Sequence, residues 1–447
     1  MQTKEAILHA VKKIGGGASV PHNKGTAESI TVIMPPPERV VIPMQQHIGA
    51  PCIPCVKKGD TVYVGTKIGD SDRPVSAPIH SSVSGTVSGL GTLLLPSGQV
   101  AETVIIESDG QMTPDPSLAP VNVETLEDLV KATRDSGMVG LGGAGFPTHI
   151  KLNKKPEQKL DTLIINGAEC EPYITSDYRE CMESTESILE GIYLIKKIMG
   201  FKKVIICVED NKPKAINALY DIASHERDTN NEVQLMRLRS HYPQGAEKVL
   251  VYSATGKAIP VGKLPADVGC VVMNITSVSI LYKYIATGMP LVAKTITVDG
   301  GAITTPQNVK VPIGTSVQDV IDFCGGYKTS VRKILYGVHM MGTALLNTDM
   351  PIMKQNNAIL VLDRKQAEKK VEQPCIRCGR CADTCPMRLR PLDIEPSLRI
   401  GDLDRVKALN VDFCMECGCC SFICPAKRHL TQVMRLAKSE LKAQDKK

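Results

Sequence analysis

The sequence predicts a multidomain α/β protein with a cysteine-rich end, on three observations. Short β-type runs broken by Gly and Pro fill residues 31–108. From residue 121, apolar strand-like runs alternate with segments of helical spacing, the pattern of a largely parallel sheet. Towards the C-terminus the spacing CxxCxxCxxxCP occurs twice.

Composition narrows the function classes. The chain has 447 residues, enough for roughly two to four domains with real cores. Its net charge is +6, with 4% aromatic residues and no Trp. Nucleic-acid binders pair basic stripes with aromatics to stack on, so no nucleic acid is expected. No stretch approaches about eighteen consecutive apolar residues, so no membrane span is expected. The start, MQTKEAILHAVKKIGGG, lacks the apolar run and cleavage site of a secretory leader. Eight of the sixteen cysteines sit in the two metal-type motifs, which fits a reducing cytosol better than a disulfide framework. Cys170, Cys181, Cys207, Cys270 and Cys324 stand singly in apolar segments and read as buried thiols.

Residues 1–115 read as a small β domain with an N-terminal extension. Its strands are TVIMP, RVVIPM, DTVYVG, SGTVSGL and TVIIES, separated by Pro and Gly. Two half-motifs face each other, CVKKGDTVYVGTKIG (55–69) and VSAPIHSSVSGTVSGL (75–90). The pair resembles the barrel-sandwich hybrid of biotinyl and lipoyl domains. Those domains carry a modified Lys on the hairpin between the halves. Here the hairpin DSDRPV (70–75) has no Lys, so the fold is expected without the swinging arm. Cys52 and Cys55 form a CxxC pair, either structural or half of a metal or redox site. His47 and His80 lie in the same domain, but no motif there completes four ligands. TPDPSLAP (113–120) reads as a linker.

Residues 121–294 read as an α/β domain of Rossmann-like type. VETLEDLVKATRDSG has helical spacing and ends at Gly137. DTLIING (161–167), KKVIICVED (202–210) and GCVVMNI (269–275) read as strands, and SILEGIYLIKKIMG (187–200) as a helix. GLGGAGFPTHIKL (140–152) supplies glycines that permit close backbone approach and leave N–H groups free for phosphate. It follows a helix, unlike the dinucleotide fingerprint, and read alone it could be just a tight turn.

Residues 295–364 return to β character. TITVDGGAITTPQNVKVPIGTSVQDVIDFCGG runs strand, turn, strand, short helix, and resembles the soluble-ligand-binding β-grasp module (SLBB).

Residues 365–447 hold the cysteine motifs. Three thiolates two residues apart wrap one face of a cubane, and the Cys before Pro reaches the other cluster. One [4Fe–4S] cluster is therefore assigned to Cys375, Cys378, Cys381 and Cys424, and the other to Cys414, Cys417, Cys420 and Cys385. Cys419 falls outside the register. Zinc, the alternative for any CxxC pair, needs only four ligands, and two full runs overshoot that demand. Arg377, Arg380, Arg388, Arg390, Lys427 and Arg428 lie beside the motifs, as a solvated rim, a dock for an acidic partner, or charges stabilising the reduced clusters. The tail KSELKAQDKK reads as a solvated helix end.

A longer likeness connects these parts. GLGGAGFPTHIK, the stretch Asn166-Gly-Ala-Glu169-Cys-Glu171-Pro172, YPQGAEK (242–248) and GCVVMNITSV (269–278) occur in the order found in the NADH- and flavin-binding subunit of respiratory complex I. With the N-terminal barrel sandwich and tandem cluster motifs, almost the whole chain resembles the C subunit of Rnf electron-transport complexes. The resemblance implies an FMN that exchanges hydride with NAD(H) and single electrons with the two clusters. It implies that Gly140, Gly142, Gly143 and Ala144 cradle FMN and nucleotide, that Phe146 offers a face to the adenine, and that Lys151 bonds near the flavin. Asn166 and Glu169 would hold the flavin and Glu171 the nicotinamide nucleotide, with Glu247 and Asn274 lining the same pocket. No residue need act as acid or base, since hydride transfer belongs to the cofactors; Glu171 and Lys151 would orient them. Read without the resemblance, Phe146 is a core residue, and Glu169 and Glu171 are an acid pair at a helix N-terminus.

Two departures stand out. Met273-Asn274 replaces the consecutive Asn of complex I, and His339 replaces a Pro in the turn Gly337–Gly342. The resemblance further implies partners among the iron–sulfur and membrane subunits, ferredoxin as an indirect partner, and a peripheral place on the cytoplasmic face of the membrane. A soluble flavin/iron–sulfur reductase, such as a cobalamin reductase, and a flavin-free electron wire are the alternatives. The barrel sandwich ahead of the glycine loop favours the Rnf-like reading over the cobalamin reductases.

Overall fold

A computed structural model describes residues 7–9, 15–143, 145–154, 157–223, 232–368 and 370–444. The α/β domain is built on a five-stranded sheet. Its central strand, Thr162–Gly167, pairs in parallel with Lys203–Glu209 on one side and Cys270–Asn274 on the other. These strands are nearly continuous apolar runs because helices cover both faces. Ile188, Leu189, Ile192 and Ile195 of helix Thr185–Met199 are buried in that core. Asn166 and Asn274 end adjacent strands in direct register. Ligands bind beyond the carboxyl ends of parallel strands, so this register locates the site.

Two strands of the sheet escape the sequence reading. Val233–Leu238 pairs with Lys203–Glu209, and Ile7–His9 adds to its far side, both in parallel. The N-terminal extension thus joins the α/β sheet. TVIMP also falls outside the barrel sandwich, because its strand Val32–Ile33 pairs with Val309 and Lys310 of the β-grasp. Both its residues are exposed, so it carries no core face for the sequence to show.

The barrel sandwich packs a four-stranded sheet against a three-stranded one. Val40, Ile42, Ile68, Ile79, Val87, Val104 and Ile106 fill its core. Its hairpin is fixed, not swinging: Arg134 of helix Leu126–Asp135 donates to Asp70 Oδ1 at 2.7 Å and to the Ser71 carbonyl at 2.9 Å. Residues 113–120 are likewise strapped down, with the Val64 N–H on the Thr113 carbonyl and the Val121 N–H on the Ile285 carbonyl.

The β-grasp forms a six-stranded sheet with helix Val317–Phe323. Its Lys354 joins three domains. The ammonium donates to the carbonyls of Pro78 (2.6 Å) and Gly137 (2.7 Å), while its backbone N–H donates to Gln46 Oε1 (3.0 Å).

In the cysteine-rich domain, helices Pro391–Arg399, Leu403–Ala408 and Leu430–Gln444 close around Ile394, Val406, Met434 and Leu441. The last helix is therefore core-forming, since Leu441 is buried, and the tail is not merely solvated. Among the described residues no helix is long and apolar enough to cross a membrane.

Candidate functional site

A cavity of about 1240 Å³ opens at the carboxyl ends of the strands. It exceeds the roughly 300–1,000 Å³ that holds one small ligand, leaving room for two ligands side by side. Gly142, Gly143, Asn166, Glu169, Glu171 and Asn274 line one wall. The barrel sandwich supplies a second wall (Gln45, His47, Gln99, Glu102) and the β-grasp a third (Gln355, Asn356, Asn357).

The glycine loop is shaped for close approach. A Cβ on Gly142 would stand 2.8 Å from Asn274 Nδ2, whereas Gly143 faces open space. The barrel sandwich buttresses the loop, with the Ile48 N–H donating to the Gly145 carbonyl. Asn274 caps helix Ile275–Thr287 by accepting from the Ser277 N–H, so a helix N-terminus opens on the cavity beside the glycines. The described lining includes no Lys or Arg and carries four acids, Glu102, Glu169, Glu171 and Asp177. With no Lys or Arg in that lining, backbone N–H groups, the helix dipole and neutral side-chain donors are what it offers a phosphate.

The acid loop is held from behind. Lys24, in the N-terminal extension, donates to the carbonyls of Glu169 (2.8 Å), Glu171 (2.8 Å) and Ile174 (2.5 Å). Lys212 donates to the Ala168 carbonyl at 2.7 Å. Glu169 adopts a left-handed backbone, φ 47°, uncommon for a residue other than Gly. Its Oε1 accepts the Asp177 N–H at 2.7 Å and so caps helix Ser176–Glu183, as expected of an acid at a helix start. Its Oε2 is buried without a partner among the described residues, as are Gln355 Oε1 and Asn357 Oδ1. Such orphaned atoms require a ligand or water. Burial raises the Glu169 carboxyl and lowers the Lys24 ammonium, each opposed by the other's charge.

Glu171 connects the cavity to the cysteine domain. Its Oε2 accepts the Met340 N–H at 2.8 Å, and its Oε1 lies 3.0 Å from Tyr242 Oη. The same hydroxyl lies 2.7 Å from the Cys417 carbonyl. Burial pushes the Glu171 carboxyl up to about 7. Tyr242 has one hydrogen for two acceptors. A protonated Glu171 completes the chain by donating to Tyr242, which donates to Cys417; an ionised Glu171 competes for that hydrogen.

Two small cavities lie beyond. Cys375, Cys378, Cys381 and Cys424 line one. Cys385, Cys414, Cys417 and Cys420 line the other, together with buried Cys419. The two loops fold alike. Arg377 and Gly379 in the first match Glu416 and Gly418 in the second, all left-handed, as are Arg388 and Lys427 after the prolines. Each cavity gathers the four thiols that the spacing assigns to one [4Fe–4S] cluster.

Residues 12–111 match the RnfC barrel sandwich hybrid domain, 133–283 the Nuo51 FMN-binding domain, 295–344 the SLBB domain and 367–425 the 4Fe-4S dicluster domain. The C subunit of the Na(+)-translocating ferredoxin:NAD(+) oxidoreductase complex of Acetobacterium woodii is 42% identical over 97% of this chain and 98% of its own. Its counterpart in the proton-translocating complex of Clostridium ljungdahlii is 40% identical over 97% and 95%. The C subunit of the ion-translocating oxidoreductase complex of Rhodobacter capsulatus is 38% identical over 87% and 75%. The chain belongs to the RnfC family. Its FMN-binding, SLBB and iron–sulfur domains follow in the order read from the sequence.

In this RnfC-family chain the residues predicted from sequence divide into two groups. Gly142, Gly143, Asn166, Glu169, Glu171 and Asn274 share the cavity wall. Lys151 and Glu247 are not part of the cavity lining and pair with each other at 2.8 Å, with Lys151 also on the Val272 carbonyl. Gly140 and Phe146 close the base of the glycine loop, where the Gly140 N–H meets the Phe146 carbonyl at 2.8 Å. The half-buried Phe146 ring is not part of the cavity lining. Ala144 lies outside the described residues. Asn166 spans to the Gly245 carbonyl at 2.9 Å and so ties the strand end to YPQGAEK.

Several wall residues went unread. Asp177 clamps Asn274 (2.8 Å) and Thr276 (2.7 Å), Tyr242 sits unremarked inside YPQGAEK, and Gln355 and Asn357 sit in a polar KQNN run. Of the single cysteines, Cys170 lines the cavity and accepts the Gly245 N–H. Cys52 is buried with its thiol on the Ala77 carbonyl, while Cys55 is exposed, so the two are placed unlike a shared metal site. His339 packs against Tyr173 with ring centroids 5.4 Å apart.

Proposed function

We propose that this chain is the NAD(H)-reactive subunit of a membrane-bound, ion-translocating ferredoxin:NAD oxidoreductase. The observation that carries the reading is the Tyr242 hydroxyl, which touches both the acid of the nucleotide-sized cavity and the backbone of a cluster-ligand cysteine. FMN, when bound, supplies the exchange between two-electron hydride chemistry with NAD(H) and one-electron transfer with two [4Fe–4S] clusters.

The chain's residues bind and orient. Gly142 and Gly143 bring backbone to the ligand, and the helix start at Asn274 favours its phosphate. Glu169 Oε2, Gln355 Oε1 and Asn357 Oδ1 offer acceptors to ring and amide N–H groups. Glu171 orients the nicotinamide nucleotide and holds a proton at Oε1, next to Tyr242. Lys151, paired with Glu247, holds the strand Cys270–Asn274 through the Val272 carbonyl. Ala144 and Phe146 belong to the same cradle by resemblance. Cys375, Cys378, Cys381 and Cys424 hold one cluster, and Cys385, Cys414, Cys417 and Cys420 the other.

The place is the cytoplasmic face of the membrane, peripheral, beside the other Rnf subunits, with ferredoxin reached indirectly. The Acetobacterium and Clostridium relatives differ by name in the coupling ion, sodium in one and proton in the other. Addition of NADH to protein reconstituted with FMN and iron tests the reading. Bleaching of a flavin band is expected; a protein that retains no flavin is only an electron wire.

A further inference from the structure

Phe146, the ring expected to meet the adenine, is not part of the cavity lining, so that contact falls to another part of the wall. The barrel sandwich offers an apolar one. Ile48, Ile53 and Val100 line the cavity and are 50%, 69% and 70% exposed. A cluster of exposed apolar side chains with polar groups at its edge marks a surface that a ligand or partner covers.

Backbone pairing brings these side chains together. Side chains alternate along strand Val100–Ser108, where Val100 and Glu102 are exposed and Ala101 and Thr103 are buried. Val100 and Glu102 therefore share a face. The Met44 N–H donates to the Glu102 carbonyl at 2.8 Å, and the Met44 carbonyl accepts the Cys52 N–H at 2.9 Å, so Ile53 is held near the same edge. The Ile48 N–H meets the Gly145 carbonyl at 3.2 Å, which joins the patch to the glycine loop. Of the four acids in the described lining, Glu102 alone comes from the barrel sandwich.

The groups along the wall match the parts of a dinucleotide. Glu171 and Tyr242 face the cysteine domain, where the hydride-exchanging rings belong. The glycines and the helix start at Asn274 favour phosphate. Beyond the glycine loop come apolar side chains for a flat, neutral base and a carboxylate for a ribose diol. In dinucleotide sites a carboxylate accepts from the adenosine 2′-hydroxyl of NAD, whereas the 2′-phosphate of NADP asks for an arginine. We propose that Ile48, Ile53, Val100 and Glu102 form the subsite for the adenosine half of the nicotinamide nucleotide, with the aliphatic side chains against the adenine and Glu102 on the ribose. This rests on the NAD(H)-reactive function proposed above. The barrel sandwich then reads the nucleotide, a task that needs no modified Lys.

The test uses the FMN- and iron-reconstituted protein and separates the two halves of the nucleotide. ADP-ribose, which lacks the nicotinamide, is titrated by calorimetry. Reduced nicotinamide mononucleotide, which lacks the adenosine, is assayed by flavin bleaching. The Ile53→Ser, Val100→Ser double variant is expected to bind ADP-ribose at least about tenfold more weakly, the worth of a few apolar contacts in a pocket. Its KM for NADH should rise in step without a fall in kcat, and its bleaching by reduced nicotinamide mononucleotide should match wild type. Both side chains are mostly exposed, so the fold stands without them. Glu102→Lys is expected to narrow the preference for ADP-ribose over its 2′-phosphate at least about tenfold. Unchanged ADP-ribose binding in the double variant, or an unchanged preference in Glu102→Lys, overturns the proposal. So does an equal loss with both probes, since the wall would then hold the flavin or the nicotinamide. A wild-type flavin that NADH leaves oxidised would refute the proposed function, while the ADP-ribose titration, which needs no turnover, still decides the subsite.

Discussion

Tyr242 Oη lies 3.0 Å from Glu171 Oε1 and 2.7 Å from the Cys417 carbonyl, so a single hydroxyl bridges the wall of the large cavity and the second cysteine loop. Tyr242→Phe keeps the buried ring and removes only the bridge. Two polar partners are left unsatisfied, which costs about 1–3 kcal/mol. On mixing with NADH, flavin bleaching should keep its wild-type rate while the reduced-cluster signal lags. Rapid mixing followed by freeze-quench paramagnetic resonance reads both. Equal slowing of the two signals would mean the ring, not the bridge, matters.

Glu171 gives a pH signature. Burial raises its carboxyl from an ordinary 4.5 to about 7. Between those values the folded protein holds a proton that the unfolded chain has released. Stability from this group is therefore complete below about pH 4.5 and lost as pH rises through about 7, a change of about 3 kcal/mol. Glu171→Gln removes that slope, so denaturant midpoints should show the variant gaining on wild type as pH rises across the window. A constant difference would place the proton elsewhere. The same variant should react more weakly with NADH while keeping its cluster absorbance.

The two cysteine sets predict an asymmetry. Cys385 lies in the first motif yet lines the cavity of Cys414, Cys417 and Cys420. Cys385→Ser should therefore damage that cluster and spare the one at Cys375. Cys419 shares the cavity as a fifth thiol, and Cys419→Ser should retain the iron of both clusters. Iron assay with paramagnetic resonance separates the outcomes. Iron loss in Cys419→Ser would show that the ligand set is misassigned.

Lys24 anchors the acid loop through three carbonyls. Lys24→Met strips their donor, which should cost at least about 2 kcal/mol of stability and weaken FMN retention on dilution. Unchanged flavin affinity would limit the lysine to folding alone.

The sequence disclosed what short-range pattern encodes. The buried strands at 162–167, 203–209 and 270–274 are continuous apolar runs, and Gly137 and Gly200 mark helix ends with left-handed backbones. The cysteine spacing alone separates the two sets of thiols that line the two small cavities. What stayed hidden depends on distant pairing. Val32–Ile33 is exposed and gains its strand only from the β-grasp edge. Lys24 lies 145 residues from Glu169, and no local pattern marks it. The pairing of Lys151 with Glu247, 96 residues away, likewise has no local signal. Tyr242 was in view within YPQGAEK, and only the fold brings the cysteine loop to its hydroxyl.

The most direct measurement is an anaerobic titration of the FMN- and iron-reconstituted protein with NADH, followed by flavin absorbance and cluster paramagnetic resonance together. Bleaching of the flavin band, with reduced-cluster signals growing in the same titration, is the expected result. A protein that holds its clusters but binds no flavin, or a flavin that NADH leaves oxidised, would contradict the proposed function.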